Sequence, residues 1–305
     1  MILPLAGALG GLALLLLGAD RTVRAAAELA VYYGVSAFFV GVTVVSIGTS
    51  IPEMTTSAYA AFYGAGDLVV GNIVGSETAQ ITLALGVVAL IAPIETERRI
   101  VLVYGGAMVL AMVIMILTLE DGVVRSEGVL MMLAYAIFVH DLYTSEGGEE
   151  VVAEVVEAPE PPRQALPAIL VGLVLVVAGG HLLVTNGTTV ARLLGVPAYL
   201  VGLLTGLGTT APEIGVAGLA ARRGEPGVSL GSLLGSNITD PVFSLGVGAL
   251  VADVVVSDPG SVLASTGYML GVSLVVLGLL YWRRGIDRRG AVVCLALYLP
   301  SFVLL

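Results

Sequence analysis

"IGTSIPE", residues 47–53, returns as "LGTTAPE" at residues 207–213, and a second pair of blocks follows at the same separation. "GNIVGSETAQ" at 71–80 returns as "GSLLGSNITD" at 231–240, so both pairs are offset by 160 residues. Two blocks that recur at one offset indicate that the chain arose by internal duplication.

The composition is that of a membrane protein. The 305 residues are 57% hydrophobic and 12% charged, whereas about a quarter of a soluble domain is charged. Apolar runs long enough to cross a bilayer recur along the whole length, and the first of them is not predicted to be a cleaved signal peptide. The net charge of −10 argues against nucleic-acid binding, which needs a basic face. Cys294 is the only cysteine and is predicted to be structural.

Ten apolar runs predict ten transmembrane helices and an all-α membrane fold. The predicted spans are 2–19, 36–63, 67–92, 100–118, 124–143, 165–187, 195–221, 227–252, 261–281 and 289–305. One long acidic break, rich in Glu, Gly and Pro, is predicted to be a flexible linker. The predicted organisation is a first five-helix repeat at 1–143, the linker at 144–164 and a second five-helix repeat at 165–305.

The arginines predict the orientation in the cell membrane. With the N-terminus outside, eleven of the thirteen arginines lie on the cytoplasmic side, and only Arg125 and Arg192 lie outside. The C-terminus is then also outside, and the acidic linker is cytoplasmic. Because each half has an odd number of spans, the halves enter the membrane in opposite directions. Such inverted-topology repeats are typical of secondary transporters, whose substrates bind near the midplane on broken helices.

The first block carries a cluster of hard oxygen ligands. On a helix, Thr49 and Ser50 share a face with Glu53. Pro52 has no N–H, so the carbonyl of Gly48 loses its helical partner, and we expect a kink there. Hydroxyl, carbonyl and carboxylate oxygens are the ligands that calcium takes. The block therefore predicts a cation site.

The second half rebuilds this cluster. Thr209, Thr210 and Glu213 occupy the equivalent positions, and Pro212 frees the carbonyl of Gly208 in the same way.

The companion blocks are predicted to supply the other wall of the site. Ser76 and Gln80 are four residues apart and share a helical face, and so do Ser236 and Asp240.

Four acidic residues, Glu53, Glu77, Glu213 and Asp240, fall inside predicted spans. A carboxylate at the bilayer centre costs roughly 2.5–3.5 kcal/mol, so four cost on the order of 10 kcal/mol without compensation. The alternative is that four protonated carboxyls merely hold helices together. Ionisable residues inside a membrane mark function by default, which favours a functional site.

The doubled GTSIPE/GTTAPE and GSETAQ/GSNITD blocks resemble the alpha repeats of the calcium/cation antiporter superfamily, the sodium/calcium exchangers. The resemblance covers the whole chain and implies exchange of Ca²⁺ for Na⁺ by alternating access, with the first and sixth spans sliding across the others. It implies that the two motif glutamates bind the ions, helped by the adjacent hydroxyls, the serines of the GS pairs, the polar residues four positions on, and two backbone carbonyls. The full implied set is Glu53, Glu213, Asp240, Thr49, Ser50, Thr209, Thr210, Ser76, Ser236, Gln80, Glu77, and the carbonyls of Ser46 and Gly206.

Three features depart from the family pattern. Glu77 stands where Asn is expected, and Gln80 stands where Asn or Asp is expected. In addition, Gly41 to Gly48 spans seven residues, but the matching Gly202 to Gly208 spans six. Glu77 lies three residues from Gln80, so it either tunes the site or carries a proton; the alternative is that it faces a neighbouring helix or a water-filled opening.

Other functions are also considered. The nearest alternative is Ca²⁺/H⁺ exchange, or transport of another divalent cation, by the same fold. A cation channel is less favoured, because inverted repeats with paired broken helices favour alternating access. An enzyme is not predicted, because no nucleophile–base pair is recognisable. Neither a cofactor nor a protein partner is predicted; the transported ions and the lipid bilayer are the expected partners.

Overall fold

The structure is a computed structural model, and it describes residues 2–119, 122–146, 164–194, 210–256 and 259–301. Some of the predictions lie outside these residues. They concern most of the linker, the first part of the seventh predicted span and, within it, Gly206, Thr209 and the Gly202 to Gly208 spacing.

The described residues are almost entirely helical, as the long apolar runs predict. In the first half the helices are α1 (Ile2–Tyr33), α2 (Ala37–Val40), α3 (Ser46–Thr49), α4 (Ile51–Phe62), α5 (Gly66–Thr78), α6 (Leu85–Ile91), α7 (Arg98–Thr118) and α8 (Arg125–Glu146). In the second half they are α9 (Ala165–Leu193), α10 (Ala211–Arg222), α11 (Pro226–Thr239), α12 (Leu245–Val251), α13 (Pro259–Arg283) and α14 (Arg288–Tyr298).

Three stretches widen into a π-helical turn. They are Gly41–Val45 before α3, Ala79–Ala84 between α5 and α6, and Asp240–Ser244 between α11 and α12. The second and third occupy the same place in the two halves, but only the third contains a proline, Pro241. Proline is therefore not required for the turn.

Six helices among the described residues are long and apolar enough to cross a membrane, and a bent pair of helices makes a seventh candidate. They are Ile2–Ala30, Gly66–Ile91, Arg98–Thr118, Arg125–Ser145, Ala165–Gly187 and Val262–Arg283, with Ala37–Thr49 and Ile51–Phe62 as the bent pair. Many of their large side chains face outward, including Leu117, Ile137 and Trp282. Exposed apolar side chains of this kind are expected where a helix meets lipid.

The first motif helix breaks where Pro52 predicts. Helix α3 ends at Thr49, α4 begins at Ile51, and the helical stretch Ala37–Thr49 is inclined to α4 by 43°. The residue between them, Ser50, has φ −77° and ψ 3°. Thr210, its equivalent before α10, has almost the same conformation, with φ −83° and ψ −3°. The kink expected at Pro52 is therefore confirmed, and the residue that precedes α10 has the same backbone conformation as the residue at the kink.

Helices α1 and α9 pack backbone to backbone through glycines. A Cβ atom on Gly11 would lie 2.5 Å from the backbone nitrogen of Leu183. A Cβ atom on Gly18 would lie 2.5 Å from the carbonyl oxygen of Gly172. Small residues allow this approach, as in other membrane helix pairs. The two helices, which are equivalent in the two halves, thus form one unit.

Two short backbone pairings join loops of the two halves. β1 (Ile94–Glu95) pairs antiparallel with β2 (Gly285–Ile286), and Val123 forms an isolated bridge with Val254. The first pairing joins the loops before α7 and before α14, and the second joins those before α8 and before α13. Each pairing fixes its two loops to the same end of the helix assembly.

Candidate ion-binding site

The two motif glutamates begin the helices that follow the kinks. Glu53 lies in the first turn of α4, and Glu213 lies in the first turn of α10. Both are fully buried, and none of their four carboxyl oxygens has a hydrogen-bond partner in the described part of the chain. Glu53 also lies within electrostatic range of Glu213 and Asp240. A helix N-terminus favours negative charge, so the position of each glutamate in the first turn of its helix stabilises its carboxylate.

The hydroxyls beside the glutamates fall into two groups. Thr49 Oγ1 donates within its own helix, at 3.3 Å to the Val45 carbonyl and 3.2 Å to the Ser46 carbonyl. It also lies 3.4 Å from Ser236 Oγ, which joins the two repeats. By contrast, the buried hydroxyls of Ser50 and Thr210 have no partner among the described residues. Those two equivalent residues therefore keep oxygen atoms available for a ligand.

Gln80 and Asp240 lie together, as the companion blocks predict. Gln80 Nε2 donates to Asp240 Oδ2 at 3.1 Å, and Ser244 Oγ donates to Asp240 Oδ1 at 2.8 Å. The side chain of Asn237 donates at 2.9 Å to Gln80 Oε1. Both carboxyl oxygens of Asp240 are thus engaged, unlike those of the glutamates.

A chain of hydroxyls extends from this wall. Ser46 Oγ lies 3.4 Å from Thr239 Oγ1, which in turn bonds to Tyr135 OH at 3.0 Å. The Ser46 carbonyl, a predicted ion ligand, accepts the Ser50 N–H at 2.9 Å and the Thr49 hydroxyl. In this conformation it is therefore part of the helical bonding.

The two remaining predicted residues differ in their surroundings. Ser76 Oγ donates at 3.0 Å to the Ile73 carbonyl of its own helix. Glu77 is fully buried, its carboxyl oxygens have no partner in the described ranges, and it lies within electrostatic range of Asp240 and Glu53. Its burial contradicts a position in a water-filled opening.

Several polar residues of this region were not predicted from the sequence, among them Asn237, Thr239, Ser244 and Tyr135. Asn237 and Ser244 are three residues before and four residues after Asp240, so helical spacing could have found them. Tyr135 comes from α8, and no local pattern signals it.

Carboxylates alone do not form the site. Among the described residues, no three His, Cys, Asp or Glu side chains come close enough together to hold one metal ion. A site here must therefore combine two carboxylates with hydroxyl or carbonyl oxygens, a ligand set that suits calcium. A cavity of about 1150 Å³ lies elsewhere, beside β1 and β2, and contains none of these residues.

Comparison with known proteins identifies the family. The sodium/calcium exchanger protein family matches residues 3–142 and 165–305, which is nearly the whole chain. The chain belongs to the sodium/calcium exchanger family. As an exchanger it is a membrane transporter, and its family moves cations in antiport.

Individual relatives agree with this assignment. An uncharacterised membrane protein of Methanocaldococcus jannaschii is 35% identical over 79% of each chain. A putative antiporter, CaxA, of Alkalimonas amylolytica is 32% identical over 92% of this chain and 90% of its own. A solved structure of the sodium-calcium exchanger NCX_Mj, soaked with Na⁺ and Ca²⁺, has a TM-score of 0.81 and 30% identity, covering 99% and 98% of the two chains.

Proposed function

We propose that this exchanger moves Ca²⁺ in exchange for Na⁺ by alternating access. The observation that carries the proposal is the pair of fully buried glutamates, Glu53 and Glu213, in the first turns of equivalent helices, with all four carboxyl oxygens unpartnered among the described residues. Leaving buried charges without partners is costly unless a cation occupies the site during the cycle. The two carboxylates carry −2, which balances one Ca²⁺.

The ligand set consists of oxygen atoms, which suit hard cations. In the proposal, Glu53, Glu213, Ser50 and Thr210 bind the ions from the two broken helices, together with Thr49 and Ser236. The remaining implied ligands are Thr209, Ser76, Gln80, Glu77, Asp240 and the carbonyls of Ser46 and Gly206. Of these, Asp240 and Gln80 bond to each other, and each of their side-chain oxygens accepts one hydrogen bond and keeps a second lone pair for an ion.

The proposed architecture is ten spans in two inverted repeats, at 1–143 and 165–305, joined by a cytoplasmic linker at 144–164. Both termini lie outside. Helix bounds that repeat at the 160-residue offset, as in α4 and α10, support the two repeats. The loop pairings support the topology, because β1 with β2 and Val123 with Val254 each join loops that this arrangement assigns to one membrane face.

The proposed moving part is the pair α1 and α9. Close glycine contacts join these helices to each other, and they flank α10, which carries Glu213. A unit of this kind can shift across a fixed site and expose it to the two faces in turn.

A second candidate is Ca²⁺/H⁺ exchange. The specific observation that favours it is Glu77, a fourth buried acidic side chain close to Asp240, at a position where the family pattern has Asn. Glu77 adds a fourth acidic group to Glu53, Glu213 and Asp240. The site can therefore bind one more counter-ion than those three residues allow.

The test is ⁴⁵Ca²⁺ uptake by proteoliposomes loaded with sodium and diluted into sodium-free buffer. We expect uptake that requires internal sodium and is lost in both Glu53→Gln and Glu213→Gln. Choline loading controls for leak. Glu127→Gln controls for the substitution, because this carboxylate lies in the first turn of α8, where it accepts the Val124 N–H at 3.0 Å. Uptake driven only by an imposed proton gradient would establish the second candidate instead. Absence of Ca²⁺ flux under either gradient would refute both.

A further inference from the structure

The hydroxyl of Ser57 differs from most buried hydroxyls of the described residues and resembles those of Ser50, Thr210 and Ser273, which also lack a hydrogen-bond partner there. Thr43, Thr78 and Thr239 each donate to a carbonyl one turn back in their own helix, at 2.7–2.8 Å. This is the usual solution for a hydroxyl inside a membrane helix. Ser57 is fully buried, yet its Oγ has no hydrogen-bond partner among the described residues. Such a group requires an explanation.

Ser57 lies on the same helical face as Glu53. It follows Glu53 by four residues in α4, which is about 6 Å along the axis. Ser50, Glu53 and Ser57 therefore place unpartnered buried oxygen atoms along one face of the broken helix. The last of them lies outside the repeated motif.

Ser57 packs against the helix that follows the Asp240 wall. A Cβ atom on Gly248 of α12 would lie 3.3 Å from the Cβ of Ser57, so the two backbones approach closely here. Gly248 follows Ser244 by one turn, and Ser244 bonds to Asp240. Ser57 therefore lies one helical turn beyond Glu53 on α4 and faces α12 one turn beyond Ser244.

The second half offers no equivalent oxygen. The residues at the matching positions are Ala217 for Ser57 and Val88 for Gly248, and both are buried and apolar. The helices that carry them, α10 and α6, also contact each other. The two halves thus differ in polarity one turn beyond their glutamates.

We infer that Ser57 is a further ion-binding residue, whose hydroxyl holds the transported cation on the side of Glu53 towards the end of α4. In the proposed orientation this is the outer side, so Ser57 extends the site towards the outer face in one half only. The inference rests on the proposed function.

The experiment measures two quantities for each variant: ⁴⁵Ca²⁺ binding to the purified protein, and the external Ca²⁺ that half-saturates exchange in proteoliposomes. Ser57→Ala removes one neutral oxygen ligand. It should weaken Ca²⁺ binding and raise the half-saturating Ca²⁺ concentration, each by about three- to tenfold. Ser57→Thr keeps the hydroxyl and should restore most of the affinity. Thr55→Ala is the matched control, because the Thr55 hydroxyl is on the exposed side of the same helix and already bonds the Ile51 carbonyl at 2.8 Å.

Unchanged binding and half-saturation in Ser57→Ala would overturn the inference, and so would an equal loss in Thr55→Ala. Intact Ca²⁺ binding by the unmodified protein without exchange under any gradient would count against the proposed function alone. In that case, the affinity of Ser57→Ala for ⁴⁵Ca²⁺ would still decide whether Ser57 binds the ion. If the unmodified protein bound no Ca²⁺, both proposals would fail.

Discussion

Gln80 Nε2 donates a 3.1 Å hydrogen bond to Asp240 Oδ2, although 160 residues separate the two. They occupy the same position in the two repeats, so the duplication has placed a residue against its own equivalent. Because one is an amide and the other a carboxyl, the contact is a hydrogen bond rather than a repulsion between like charges. The bond to Asn237 fixes the amide in the orientation that presents its N–H groups to Asp240.

We expect Gln80→Ala to raise the Ca²⁺ concentration that half-saturates exchange by about tenfold, because a hydrogen bond to a charged group contributes roughly 1.5–3 kcal/mol. Asp240 would lose the Gln80 donor and keep the Ser244 donor, and Asn237 would keep only the Leu233 carbonyl of its two acceptors. The measurement is the initial rate of sodium-driven ⁴⁵Ca²⁺ uptake against Ca²⁺ concentration. Thr118→Val is the control, because that hydroxyl bonds only to carbonyls of its own helix. An unchanged half-saturation would mean that the pair does not support ion binding.

Glu77→Gln removes one negative charge while keeping the shape of the side chain. Glu77 lies within electrostatic range of Asp240 and Glu53, and such buried charges interact by more than 1 kcal/mol. We therefore expect Ca²⁺ half-saturation to rise by about threefold or more. Uptake should be measured at acidic and at alkaline pH. If neither affinity nor pH dependence changed, Glu77 would have no role in the site and would simply face a neighbouring helix.

The sequence was sufficient to predict that the fold is helical and that the first motif helix breaks. Pro52 predicted the break at Ser50, because a missing N–H acts on its own helix. The 160-residue offset brought Gln80 and Asp240 into one prediction. These features depend on local geometry or on the duplication, and both can be recognised in a single sequence.

Other features depend on contacts that a sequence does not display. The π turn at Gly41–Val45 uses the same apolar residues as an α-helix, so hydrophobic spacing cannot identify it. This wider turn takes up an extra residue within the stretch from Gly41 to Gly48. Tyr135 joins the region through packing between helices distant in sequence. Ser57 follows Glu53 by one helical turn, but only the structure shows that its buried hydroxyl has no partner among the described residues.

The glycine contacts of α1 and α9 predict opposite effects at two adjacent glycines. Gly11→Ala places a methyl group 2.5 Å from backbone atoms of α9, whereas a Cβ on Gly10 meets nothing within 4 Å. We expect Gly11→Ala to destabilise the protein by about 1–3 kcal/mol through overpacking, and Gly10→Ala to be neutral or slightly stabilising. The measurement is the monodisperse fraction remaining after heating in detergent. Equal melting of the two variants would contradict backbone-to-backbone packing of these helices.

A charged contact joins the proposed moving helices to the second motif helix, α10. Asp20, in the part of α1 beyond the predicted span 2–19, forms salt bridges with Arg24 of its own helix and with Arg223 at the end of α10. If α1 and α9 slide relative to α10, the salt bridge between Asp20 and Arg223 stabilises one position of the pair and must break in the other. Both partners are partly exposed, so solvent screening limits its contribution to about 1 kcal/mol, or about a fivefold change in rate.

We therefore expect Asp20→Asn to change the rate of exchange by up to about fivefold while leaving Ca²⁺ half-saturation unaltered. Arg223→Gln should produce the same change, and the double variant should add nothing, because one contact is removed in all three. Arg24→Gln is the matched control, since Arg24 reaches Asp20 along the same helix. Equal effects of Arg24→Gln and Arg223→Gln would show that the charge of Asp20, rather than its contact with α10, sets the rate.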